Sequence, residues 1–117
     1  MRTIKIIDGK ISRPELRELA KEIFGDMVKG TVDIVSGRMA LGGEMHIDSN
    51  ELLIKEGSNQ RDVWGFNIYP DQKDEEFIEY NSLVNIKPVL GNRSADIQDP
   101  EIRGKVKSVI MKYILDD

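Results

Sequence analysis

Asp62-Val63-Trp64-Gly65-Phe66-Asn67-Ile68-Tyr69-Pro70 is the stretch whose reading decides the fold. Trp64, Phe66 and Ile68 alternate with Gly65, Asn67 and Tyr69. A period of two over this length predicts a strand, apolar on one face and polar on the other. Pro70 ends it, because proline has no N–H to give to a sheet ladder. Working outward, residues 77–87 predict a long strand stopped by Pro88, with Ile78, Tyr80, Val84 and Ile86 on its apolar face. Residues 27–35 predict another, Val28, Val32 and Ile34 facing one way and Lys29, Thr31 and Asp33 the other. Ser36-Gly37 is a two-residue turn signal, so residues 38–41 are expected to return as a hairpin partner. Gly42-Gly43 breaks or bulges that strand, and residues 44–47 are read as extended, with Met45 and Ile47 on the apolar face. Thr3 to Ile7 is a further short β-branched run.

Helices flank this sheet. Ser12 followed by Glu15, with Pro14 in the first turn, has capping-box spacing. Leu16, Leu19, Ala20, Ile23 and Phe24 then recur at helical spacing, and Gly25 is a fitting stop. Asp48 or Ser49 is read as the cap of a shorter helix over residues 50–56, ended by Gly57. The adjacent Leu52, Leu53 and Ile54 would also suit a strand. Asp99-Pro100-Glu101 opens a C-terminal helix running to about Leu115, its stripe made of Ile102, Val106, Val109, Ile110, Tyr113 and Ile114. The expected fold is therefore a single α+β domain over residues 1–117. It is an antiparallel β-meander with two main amphipathic helices packed on one face and the other face exposed or used.

Composition narrows the function classes. At 117 residues, the chain has the length of one domain and can bury a core without staples. A net charge of −4 disfavours a nucleic-acid partner, which needs a basic surface. There is no cysteine, so disulfides, thiolate catalysis and Cys-bound zinc are excluded. With no apolar leader and no run of 18 apolar residues, no membrane association is expected and the cytoplasm is the default compartment. Phosphate-loop, dinucleotide and nucleophile-elbow patterns are absent.

Three groups of residues could carry chemistry. Glu44, His46 and Asp48 stand at i, i+2 and i+4, so an extended segment would put all three on one face. Their ligand types suit a divalent metal, the candidate cofactor. The plainer alternative is a solvated strand face. His46 is the one histidine, hence the one ready acid–base near neutral pH, and Glu79 is its candidate catalytic companion. Asn67, Tyr69, Asn85 and Lys87 would share the polar face and contact a ligand. Asparagine is disfavoured within strands, though anchoring of strand ends explains it as well. Arg93, in Gly91-Asn92-Arg93-Ser94, adds an anion contact, or is an ordinary loop residue.

Gly25-Asp26-Met27-Val28-Lys29, Gly42-Gly43-Glu44 with His46, Asp62-Val63-Trp64-Gly65 with Asn67 and Tyr69-Pro70, and Gly91-Asn92-Arg93-Ser94 together form a pattern covering nearly the whole chain. It resembles a small family of short, single-domain prokaryotic proteins of unknown function. The resemblance implies a stand-alone domain and brings no activity with it. The leading expectation is thus a cytosolic protein binding a small polar or anionic ligand on its polar sheet face. A divalent-metal-dependent hydrolase and a homodimeric interaction module are the alternatives, and whether the protein is an enzyme stays open.

Overall fold

The computed structural model describes residues 3–115. Five strands form one antiparallel sheet: β1 (Ile4–Ile6), β2 (Val28–Asp33), β3 (Met39–Gly42), β4 (Val63–Ile68) and β5 (Ile78–Glu79), in the order β1-β3-β2-β4-β5. Three helices accompany it: α1 (Arg13–Lys21), α2 (His46–Lys55) and α3 (Pro100–Tyr113). The molecule is an α+β domain. None of the described helices is long and apolar enough to cross a membrane.

Local signals set the ends of α1 and α3. Ser12 and Glu15 exchange bonds as a capping box, and the Asp99 side chain accepts from the Glu101 amide. Gly25, at φ +90°, turns its amide back onto the Ala20 carbonyl at 2.7 Å. That left-handed conformation favours glycine.

The alternation read along β4 is realised. Trp64, Phe66 and Ile68 are buried in one cluster with Val28, Val32, Met39 and Leu41 of the neighbouring strands. Leu16 and Ala20 of α1 and Val106 and Ile110 of α3 belong to the same cluster. The register pairs Val32 with Trp64 and Val28 with Ile68, which keeps these side chains on one face.

Helix α2 lies against the opposite face, which was expected to be exposed or used. Leu53 packs there with Ala40 and Val63, and Thr31 Oγ1 donates to Ser49 Oγ at 3.0 Å. A fully buried leucine contributes about 1.5–3 kcal/mol, enough to seat a helix whose apolar face is otherwise narrow. Leu53 is the fully buried one of the three, Leu52 packs half-buried at the edge of the same cluster, and Ile54 is exposed.

Three sequence expectations are corrected. Residues 44–47 are not extended: α2 begins at His46, with Met45 as its cap. Gly42 and Gly43, at φ +110° and +93°, swing the chain off the sheet, and a Cβ on Gly42 would collide with the Thr3 carbonyl. Asp48 Oδ2 then accepts from the Met45 amide at 3.1 Å and secures the first turn. Met45 and Ile47 are accordingly exposed instead of belonging to the apolar face.

Residues 77–87 are not one long strand. Only Ile78–Glu79 pair with β4, and 3-10 turns follow at Leu83–Asn85 and Pro88–Leu90. Ser82 Oγ accepts from the Val84 amide at 3.1 Å, and such side-chain bonds draw backbone away from a ladder. Val84 and Ile86 therefore leave the sheet face. Finally, the β2–β3 hairpin closes over residues 34–38 and not through a two-residue turn. The Asp33 carboxylate holds the wider turn by accepting from the Val35 and Ser36 amides at 2.8 and 3.0 Å.

Candidate functional site

His46 is the first residue of α2, and its ring reaches down to β4. Nε2 lies 2.9 Å from the Phe66 carbonyl oxygen and 2.8 Å from Asn67 Oδ1. Both partners are acceptors, so Nε2 carries the proton and Nδ1 the lone pair. A Cβ on Gly65 would stand 3.3 Å from His46 Cδ2, which places the Cδ2–Nε2 edge of the ring against the sheet and turns Nδ1 away from it. Burial holds the imidazole below the usual histidine range. The Phe66 carbonyl bond opposes this, the Lys29 ammonium lowers it further, and Asn67 and Glu79 pull it back up. At neutral pH the ring is an uncharged base.

Asn67 continues the chain of bonds. Its Nδ2 donates to Glu79 Oε1 at 2.7 Å and to the Asn81 carbonyl at 3.3 Å. The Tyr69 hydroxyl donates to the same Glu79 oxygen at 3.0 Å. Burial first, and this carboxylate second, raise the Tyr69 phenol, which stays a neutral donor. His46, Asn67, Glu79 and Tyr69 thus form one connected network, and four of the residues singled out from sequence do meet.

Above His46 opens a cavity of about 620 Å3. Lys29, His46, Asn67, Asn81 and Ser82 are its polar lining, and Met27, Met45, Ile47, Leu83 and Val84 its apolar walls. A more charged cleft of about 690 Å3 is lined by Tyr69 and Glu79 together with Tyr80, Asp96, Arg103 and Lys107.

The remaining sequence candidates go elsewhere. Asn85 is fully buried and its amide is spent on Gly65 and the Ala95 carbonyl. Lys87 Nζ donates to the Gln60 carbonyl at 2.9 Å and sits 5.3 Å from the Trp64 ring centroid; burial lowers its pKa. Arg93 is exposed on a loop that Asn92 holds through bonds to the Asn85, Ser94 and Asp96 carbonyls. Glu44 is exposed, and Asp48 caps α2. Because the segment is helical from His46, positions 44, 46 and 48 no longer share a face. Among the described residues, no three His, Asp or Glu side chains are grouped so as to hold a metal ion.

Two participants were missed. The sequence alone sets Lys29 merely on the strand face away from Val28, Val32 and Ile34, yet its direct register partner is Asn67. Gly65 is the other: a Cβ there would come within 2.5 Å of Ser82 Cβ and Oγ. A glycine inside a strand flags such a close approach, and that was the available signal.

An antiparallel α+β domain with a histidine-floored, apolar-walled cavity is the class that fold and site define. The chain belongs to a family described as protein of unknown function, DUF5674, whose model matches residues 5–113. No curated protein and no solved structure matches it.

Proposed function

We propose that the protein binds a small molecule in the cavity over His46. The polar end of the ligand lies against His46, Asn67 and Lys29, and its remainder against Met45, Ile47 and Leu83. The observation that carries this is a half-buried, uncharged imidazole held in one tautomer at the floor of a cavity whose walls are apolar yet open to solvent. Met45 is 58 % exposed and Leu83 76 %. A few placed polar groups within an apolar concavity of several hundred Å3 is the usual form of a small-molecule site. The contacts differ from the set read in the sequence: Asn67 stays, Lys29 joins, and Tyr69 acts through Glu79. A fragment screen read by the His46 and Asn67 side-chain NMR signals tests this. Hits that move those signals support the site, and hits that map only elsewhere, or no hits, remove it.

A homodimer has its own supporting observation. Leu83, Ile86, Val89 and Leu90 are exposed along one segment, Val89 to 98 %. Apolar groups gathered in this way commonly mark an interface. Light scattering from micromolar to millimolar protein, with Val89→Lys beside the wild type, decides it: a monomer mass throughout ends this reading.

A further inference from the structure

We infer that the ligand of this cavity is a small monocarboxylic acid with an apolar body, its carboxylate set against Lys29 beside His46. The inference rests on the cavity reading above and adds the chemical class. Lys29 is the only cationic residue among those lining the cavity. Its ammonium sits 4.9 Å from the Phe24 ring centroid. The cation of a half-buried lysine lining an apolar-walled space is complementary to one negative charge. The register places Lys29 directly across from Asn67, whose side chain holds the His46 ring, and both Lys29 and His46 line the cavity. His46 also opens the first turn of α2, where the helix dipole favours an anion.

The other ligand classes fit less well. An amine would face the Lys29 charge. A phosphate brings more negative charge than one ammonium balances, and no arginine lines the cavity to clamp it. A carboxylate needs one more donor, which His46 Nδ1 supplies once protonated. The charged groups acting on the ring are Lys29 on β2 and Glu79 on β5. A bound carboxylate would offset Lys29, so the acid should bind with uptake of a proton at Nδ1. The flexible side chains of Met45 and Met27 adapt to a body of variable shape.

The test compares hexanoate, hexanol, hexylamine and inorganic phosphate by calorimetry and by the His46 Cε1–H signal. Hexanoate is expected to bind about tenfold more tightly than hexanol, the ratio of one charge-assisted bond. It should also move the His46 titration midpoint upward. Lys29→Met should abolish the hexanoate advantage over hexanol, and Lys29→Arg should retain it. Equal binding of hexanol and hexanoate, or preference for hexylamine or phosphate, with the His46 signal moving, overturns the acid class while the cavity stands. No movement of His46 with any of the four overturns both.

Discussion

Asn85 completes the outer edge of β4 at Gly65. Its Oδ1 accepts from the Gly65 amide at 2.7 Å and its Nδ2 donates to the Gly65 carbonyl at 3.0 Å, two bonds of the kind a neighbouring strand would supply. β5 ends at Glu79, so without this side chain the β4 backbone beside the cavity would be buried and unpaired. Asn85→Ala is expected to destabilise the fold by about 2–4 kcal/mol, since a buried unpaired backbone group costs about 1–3 kcal/mol. Equilibrium urea unfolding measures it; a loss within experimental error would show that the edge is satisfied some other way.

Gly65 leaves the space that Ser82 fills. Gly65→Ala should cost about 1–3 kcal/mol through overpacking, because Ser82 Cβ lies 2.5 Å from the new carbon and cannot rotate away. Ser82→Gly removes that atom and should recover part of the loss in the double variant, despite forfeiting the bond from Val84. A strictly additive double variant would contradict the steric account.

Acid stability should depend on Asp33. Burial raises its pKa, but bonds from the Ser58 hydroxyl at 2.6 Å and from the Ser36 and Val35 amides outweigh it, and the net shift is downward. A carboxyl whose folded pKa is below its unfolded value of about 3.9 contributes stability above that value, lost as pH falls through the folded one. Asp33→Asn should be less stable at neutral pH and show a flatter acid limb. Unfolding midpoints measured from pH 7 downward check this; parallel curves for the two proteins would rule it out.

His46 gives a second pH dependence of the same sign. Its folded pKa lies below an unfolded value of about 6.5, so the folded state resists protonation. Stability from the neutral ring is complete above the unfolded pKa and declines as pH falls towards the folded one. An NMR titration should place the midpoint under 6.5 and show Nε2–H as the neutral tautomer. Nδ1–H as the main form would contradict the hydrogen bonds assigned to Phe66 and Asn67.

Contacts between near neighbours made much of this protein legible from the chain alone. Ser12 with Glu15, Asp99 with Glu101, Gly25 after α1 and the alternation of Trp64, Phe66 and Ile68 each involve residues a few positions apart, so their geometry follows from the residue types. Asn67, Tyr69, Glu79 and His46 could also be chosen from sequence, because polar groups amid strand-like runs need partners. The tertiary structure decided the rest. Gly42 takes its left-handed turn against the Thr3 carbonyl at the far end of the sequence, and that turn makes His46 the start of a helix instead of a strand residue. The second face of the sheet is covered because Leu53 finds Ala40 and Val63 there. Lys29 joins the site through its register with Asn67, and Asn85 leaves it for Gly65. Each of these depends on which distant segments pack together, and no local pattern of residues carries that information.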